Sequence, residues 1–264
     1  PASFLTPNHP CHPAIRYRRM TQPPPSRDAY LSMRRFQTYF RDVIEPAVWS
    51  ASQPVAAGVH QLQDPKADPI RAEQALGLEF RPVRPTWLWG PKWSTAWFRV
   101  SGVLPAEWAG RPVALRFSSG TEGQVWRVRF GGVDTGSATP LQGLDVNRDA
   151  YHLTPSAAGG EAVEALIEAA CNHPFGAGSF EWDSPEAHQR WDSETPGRFE
   201  RCELAVFEPE CWELRQHYAF ALKLLEDLPL DSNRAQDLIA CLRASTNAVD
   251  QNDVKRSAAR ALAP

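Results

Sequence analysis

The sequence predicts a mainly β protein: a jelly-roll-like β-sandwich with one helix before it and an antiparallel pair of helices after it. Short segments that alternate between apolar and polar residues follow one another through the middle of the chain, separated by Gly and Pro at intervals of roughly 8 to 15 residues. Before and after this region the apolar residues recur in steps of three and four, as in helices. We therefore divide the chain into four parts: a tail (1–25), an N-terminal helix and connection (26–76), a β-sandwich (77–208) and a helical hairpin (209–264).

The N-terminal part is predicted to contain a tail, one helix and a connection. Residues 1–25 are rich in Pro and show little periodicity, so they are predicted to be disordered. Ser26 can cap a helix that ends near Pro46, because apolar residues follow at helical spacing. These are Tyr30, Met33, Phe36, Phe40, Val43 and Ile44. From residue 47 to 76 the chain is polar and interrupted by three prolines, which predicts a connection along the surface.

The segment 85–100 carries four of the ten Trp residues within sixteen positions. Aromatic rings bury large areas and dominate cores and interfaces, so this density indicates either a core edge or a surface on which rings stack. The pair Gly90-Pro91 interrupts regular structure and places Trp87, Trp89 and Trp93 on a loop. From Trp97 onward the residues alternate, which predicts that the loop leads into a strand.

Further strands are predicted by the same alternation, and their inward residues can be named. The inward sets are Val113, Leu115 and Phe117; Trp126, Val128 and Phe130; Val163, Ala165, Ile167 and Ala169; and Cys202, Leu204 and Val206. The third set would also tolerate a helix. Residues 172–197 read as a long loop.

After Pro209 the period changes to that of a helix pair. The first helix is predicted to end before Pro229, and Ser232 or Asn233 can cap the second. The predicted inward residues are Trp212, Tyr218, Ala219, Leu222 and Leu225 in the first helix, and Ala235, Leu238, Ile239, Leu242 and Val249 in the second.

Composition excludes several classes of protein. The net charge of -3 and the lack of a basic stripe give no reason to expect a nucleic acid partner. The cluster Arg16-Tyr17-Arg18-Arg19 could serve as a nucleic-acid arm, but we favour its assignment to the solvated, disordered tail. Five cysteines without a Cys-x-x-Cys pair argue against a disulfide framework and a structural zinc site. Neither a secretory signal nor a stretch of about 18 apolar residues is present, which predicts a cytoplasmic protein without a membrane partner.

Four short motifs occur in one order. They are residues 90–98 (Gly-Pro-Lys-Trp-Ser-Thr-Ala-Trp-Phe), 122–126 (Glu-Gly-Gln-Val-Trp), 140–144 (Pro-Leu-Gln-Gly-Leu) and 170–176 (Ala-Cys-Asn-His-Pro-Phe-Gly). In these motifs the sequence resembles the N-terminal region of glycoside hydrolase family 38 α-mannosidases of the cytosolic and vacuolar type. The two C-terminal helices also resemble the pair that precedes the catalytic barrel of that family, so the resemblance covers roughly residues 30 to 250.

The resemblance implies an accessory β-sandwich of a retaining, zinc-dependent exo-mannosidase. In that family the metal site opens with a His-x-Asp motif after the matched region, and a further Asp is the nucleophile. None of the seven His residues here is followed by Asp two positions later. No catalytic or metal-binding residue of the family can therefore be assigned to this chain, and zinc is expected only in a catalytic domain that this sequence does not contain.

Three functional hypotheses remain. The first is a non-catalytic module that braces the catalytic domain and helps oligomerisation, with that domain and a second copy of the chain as expected partners. The second is a free-standing carbohydrate-binding module with mannosides as ligands. The third is an enzyme in its own right, which would need a carboxyl pair from a set of loop residues or a metal site begun by Cys171 and His173. That carboxyl set is Glu122, Asp145, Glu181, Asp183 and Asp192.

One surface is common to the first two hypotheses. Trp87, Trp89, Trp93 and Trp126 could present their rings to sugars, with Glu122, Asp145 or Asn172 binding hydroxyl groups. The same rings could instead pack in the core or dock against a following domain. The sequence leaves that choice open.

Overall fold

The structure is a computed structural model that describes residues 26–62, 64–172 and 193–262. The predicted tail and most of the predicted loop after Asn172, including His173, Glu181, Asp183 and Asp192, lie outside the described residues. The described part is a β-sandwich of two antiparallel sheets, with a bundle of helices packed at one side. The prediction of a mainly β sandwich flanked by helices is confirmed.

The larger sheet has seven strands and forms one layer of the sandwich. Its order is β3-β2-β5-β11-β7-β8, and β9 also pairs with β7. The strands are β2 (Ala56–Leu62), β3 (Arg81–Val83), β5 (Thr95–Val103), β7 (Glu122–Phe130), β8 (Val133–Asp134), β9 (Gln142–Leu144) and β11 (Ala162–Ala170). The four-residue helix α2 (Ala72–Ala75) covers part of its outer face, against Trp97 and Leu166.

The smaller sheet has four strands in the order β1-β13-β6-β10. These are β1 (Trp49–Pro54), β6 (Val113–Ser118), β10 (Ala150–Thr154) and β13 (Arg201–Phe207). A third, two-stranded sheet joins β4 (Leu88–Trp89) to β12 (Gly197–Arg198). The core lies between the two main sheets, and the predicted inward residues of β6, β11 and β13 are all in it.

The prediction of a surface connection over residues 47–76 is wrong for residues 49–62, which form β1 and β2. Both strands carry little hydrophobic signal. Strand β1 is an edge strand, a position that tolerates its Pro54. Strand β2 turns only the small Ala57 and Val59 into the core. The sandwich therefore begins near residue 49 and not near residue 77.

The prediction that Trp126 points inward is also wrong. Strand β11 pairs Ile167 with Val125 and Leu166 with Arg127, so Trp126 is the extra residue of a β-bulge. The bulge moves Trp126 to the outer face of the larger sheet, where it packs with Trp97.

The helical bundle is built from both ends of the described chain. Helix α1 (Arg27–Tyr39) continues into a π turn (Phe40–Ile44) and a 3₁₀ turn (Pro46–Val48). It packs with α3 (Pro209–Asp227), α4 (Asn233–Ala248) and α5 (Val254–Ala261). Ser26 and Ser232 accept hydrogen bonds from Ala29 N and Ala235 N, so both predicted N-caps are confirmed.

Two details of the helices differ from the prediction. A third C-terminal helix, α5, follows the predicted pair and is capped by Asp253. Trp212 was predicted to face inward, but its side chain is 46% exposed. It lies beside Phe207 at the junction of sandwich and bundle, where α3 leaves the smaller sheet.

Candidate sugar-binding surfaces

Two of the predicted site residues, Trp87 and Trp89, belong to the core. Trp89 is 1% exposed, and its indole N–H donates to Ser119 O at 3.0 Å. Trp87 stacks on Trp89 with 6.3 Å between ring centroids, and the guanidinium of Arg81 covers the Trp87 ring at 4.6 Å. Because these ring faces are occupied, neither residue can serve as a stacking platform for a sugar.

Trp93 is the exposed member of the cluster, with 63% of its side chain accessible. Its backbone lies in the left-handed region at φ 69°, and its N–H donates to Cys171 O at 2.8 Å. This hydrogen bond holds the loop against the end of β11. The ring of Trp93 is therefore available for contact.

Glu122 and Asn172 are brought together at one end of β7. Asn172 Oδ1 accepts from the Glu122 N–H at 3.3 Å, and the Asn172 amide donates to the Glu122 carboxylate. Their mutual bonding fixes both side chains. They can present the remaining lone pairs of the carboxylate to a polar ligand.

Trp126 lies on the same outer face as Glu122, and it donates from Nε1 to Glu168 Oε2 at 2.9 Å. Burial raises the pKa of Glu168, while the bond from Trp126 lowers it. Glu168 lies opposite Gln124 and Glu122 opposite Ala170, so the two carboxyl groups are diagonal neighbours on the sheet. Glu168 was not predicted as a site residue, because in the sequence it is one of two Glu residues, with Glu164, on the polar side of an alternating strand.

Asp145 lies apart from the other predicted residues. Its carboxylate accepts from Asn147 N at 2.7 Å and Arg148 N at 2.9 Å, which closes the turn between β9 and β10. This is the usual structural role of Asp in turns. The predicted surface therefore separates into three places: the exposed Trp93, the outer face with Glu122, Trp126 and Asn172, and the Asp145 turn.

A larger feature, which we call the sheet–helix cleft, was not predicted. It lies between the outer face of the smaller sheet and the N-terminal part of α3, and its volume is about 1570 Å³. Its walls and floor include Trp49, Arg116, Asp149, His152, Phe207 and Trp212. The signal for it was weak, because these residues are far apart in the sequence and only the fold brings them together.

Across residues 26–62, 64–172 and 193–262, His, Cys, Asp and Glu side chains form no group of three or more that could hold a metal ion. Among the helices of this part, none has the length and hydrophobicity needed to span a membrane.

The antiparallel sandwich with its helical flank defines a jelly-roll domain. The family model described as the jelly roll domain of α-mannosidase, of the Ams1-like type, matches residues 53–205. The chain belongs to this family.

Similar proteins point in the same direction. The chain is 29% identical to α-mannosidase 2C1 of Homo sapiens over 80% of its own length, and 26% identical to α-mannosidase G of Dictyostelium discoideum over 72%. It covers 19% and 17% of those proteins, so it spans less than a fifth of the relatives it matches. The resemblance to α-mannosidases is confirmed.

Solved structures add a distant likeness. A β-glucuronidase from Ruminococcus gnavus in complex with N1-substituted uronic isofagomine aligns with a TM-score of 0.34 and 16% identity. The alignment covers 60% of this chain and 30% of that one. At this level of similarity it carries no conclusion about function.

Proposed function

We propose that the chain is the N-terminal accessory module of a family 38 α-mannosidase that acts on mannose-containing glycans in the cytoplasm. In this proposal it braces the catalytic domain, contributes to oligomerisation and supplies no catalytic group. Zinc and the nucleophile belong to the catalytic domain. The main support is the family match over residues 53–205 in a chain that spans less than a fifth of its relatives.

The helical bundle offers a surface for docking to the catalytic domain. Phe220 and Leu224 of α3 are 68% and 37% exposed, and they lie one turn apart on the same face of the helix. Tyr30 and Leu31 of α1 are 51% and 38% exposed. Exposed apolar residues grouped on helices are typical of surfaces that a partner covers.

The gene is the first test. We expect the DNA downstream of residue 264 to encode the His-x-Asp motif and the remaining catalytic barrel. An unrelated gene at that place would favour the alternative, a free-standing carbohydrate-binding module.

The docking surface is tested by co-expressing the chain with the catalytic polypeptide and measuring association by pull-down and light scattering. Phe220→Asp should weaken the complex, because it places a charge in an apolar contact. The matched control is Val133→Asp on the sandwich, where the side chain is 69% exposed. Equal binding by both variants would place the contact elsewhere.

Activity gives a separate test of the non-catalytic role. The purified 264-residue chain should not hydrolyse an aryl α-mannoside, with or without added zinc. Hydrolysis that persists in the presence of a chelator and through repeated purification would contradict the proposal.

A further inference from the structure

The sheet–helix cleft has the size of a binding site for an oligosaccharide. Its volume of about 1570 Å³ exceeds the roughly 300 to 1,000 Å³ of sites for small ligands. One wall is the outer face of the smaller sheet, and the other is the first two turns of α3 with the 3₁₀ turn before β1. Because it is a cleft between two elements, an elongated ligand can lie along it.

Aromatic rings form a cluster around Phe207 at this cleft. The Phe207 ring lies 5.4 Å from Trp49, 4.6 Å from His152 and 6.5 Å from Trp212, measured between centroids. Phe207 is thus the common neighbour of the other three rings, and Trp212 among them is 46% exposed. A large aromatic ring with one face open can pack against the C–H face of a pyranose.

The floor of the cleft is a fixed network of charged side chains. Arg116 donates to Asp149 at 2.8 Å and to Glu203 at 3.2 Å, and its guanidinium stacks over Trp49 at 4.6 Å. Arg201 also donates to Asp149. The Arg116 and Asp149 side chains are only 14% and 20% exposed, so their positions are set before any ligand arrives.

Such a network suits hydroxyl groups. A sugar hydroxyl donates one hydrogen bond and accepts others, and neighbouring hydroxyls can bridge the N–H of an Arg and an oxygen of its carboxylate partner.

The charge balance favours a neutral ligand over a polyanion. Four of the five arginines that line the cleft are ion-paired with carboxylates. The paired residues are Arg41, Arg116, Arg201 and Arg215, and the fifth is Arg148. Burial lowers the pKa of His152, which favours its neutral form.

We propose that the sheet–helix cleft binds a neutral oligosaccharide, with Trp212 stacking on a sugar ring and the Arg116–Asp149 network binding its hydroxyl groups. That the sugar is of the mannose type rests on the proposed function. The cleft then holds a glycan chain on the accessory module, separate from the residues predicted around Trp93.

The test uses the full 264-residue chain and measures binding of linear mannose oligosaccharides by calorimetry and saturation-transfer NMR. Trp212→Ala should raise the Kd by about tenfold or more, the loss expected for one ring–sugar contact of about 1.4 kcal/mol. Trp93→Ala removes another exposed Trp ring, which lies outside the cleft, and should leave the Kd unchanged. Asp149→Asn provides a second variant, which should weaken binding through the floor of the cleft without removing a ring.

The possible outcomes distinguish failure of the glycan site in the cleft from failure of the proposed function. Absence of binding at about 10 mM oligosaccharide, or loss of binding in Trp93→Ala with retention in Trp212→Ala, would overturn the proposed site. Binding of glucose but not mannose oligosaccharides, with the same response to the variants, would keep the cleft as a glycan site and contradict a ligand of the mannose type. Protection of the cleft by the catalytic polypeptide in place of a sugar would show a docking surface and overturn the glycan site.

Discussion

At the scale of single residues, Glu168 shows how a core strand accommodates a carboxyl group. It lies in β11 between two other strands of the larger sheet, with Trp126 as its hydrogen-bond donor. Burial raises its pKa, because the charged form loses hydration. The outer face of the sheet therefore contains a carboxyl group whose ionisation destabilises the folded state.

This predicts a pH-dependent difference between wild type and Glu168→Gln. A carboxyl group with a raised pKa binds more protons in the folded state than in the unfolded state, so its contribution to stability falls as pH rises from the unfolded pKa through the folded pKa. The glutamine cannot ionise and can still accept from Trp126. The free energy of unfolding of Glu168→Gln should therefore rise relative to wild type between pH 4 and pH 7, as measured by urea denaturation.

Trp126→Phe provides the opposite change. It removes the hydrogen bond that lowers the pKa of Glu168 while keeping an aromatic ring in place, so the loss of stability with rising pH should become larger. If the free energies of unfolding of wild type and Glu168→Gln differed by a constant amount over the same pH range, the raised pKa of Glu168 would be contradicted.

At the scale of elements, the segment that leads into β5 shows what sequence patterns predict and what they miss. The Trp cluster and its strand were predicted, because density of aromatic rings and alternation are local properties. Whether a ring is buried was not predicted, because two partners that enclose Trp89 come from other parts of the chain: Ser119 after β6 and Gly197 from β12. A Cβ at Gly197 would lie 2.5 Å from the Trp89 indole, so only glycine permits this packing.

The same limit explains the other errors. Strands β1 and β2 escaped prediction because their inward residues are small, and the inward side of a strand cannot be read from alanines. The inward assignment of Trp126 failed because a β-bulge shifts the alternation by one residue, and bulges depend on the neighbouring strand. The cleft could not be predicted because its residues meet only when the bundle docks on the smaller sheet.

A pair of variants tests the division within the Trp cluster. Trp89→Ala removes a ring that is 1% exposed and should lower the free energy of unfolding by about 3 to 5 kcal/mol. Trp93→Ala removes a ring that is 63% exposed and should change it by less than about 0.5 kcal/mol. Urea denaturation measures both, and similar losses for the two variants would show that Trp93 is packed.

At the scale of the whole molecule, one buried carboxylate connects the sandwich to the helical bundle. Glu208 precedes α3, and its side chain is 4% exposed. It accepts from Ser50 of β1, from Arg111 just before β6 and, at 2.9 Å, from Lys255 of α5. The sandwich and the helical bundle therefore both donate to the carboxylate of Glu208.

Replacing Glu208 should weaken this connection. Glu208→Ala should lower the free energy of unfolding by about 2 to 3 kcal/mol, less than for a fully buried pair because Arg111 and Lys255 keep part of their hydration. We also expect the unfolding curves of Trp fluorescence and helical circular dichroism to separate in this variant. The control is Glu210→Ala, because Glu210 lies two residues after Glu208 and is exposed. An equal loss of unfolding free energy in that variant would contradict the role of Glu208.

The docking of α1 with the C-terminal helices has a mechanical consequence. The Ser26 N–H donates to Asp231 Oδ2 at 2.7 Å, so the start of the described chain lies against the turn between α3 and α4. A pulling force applied at the two ends of this chain would reach the helices first and peel them apart one contact at a time. The sandwich would bear load only afterwards, so the helical bundle would unfold at a lower force than the β-sandwich.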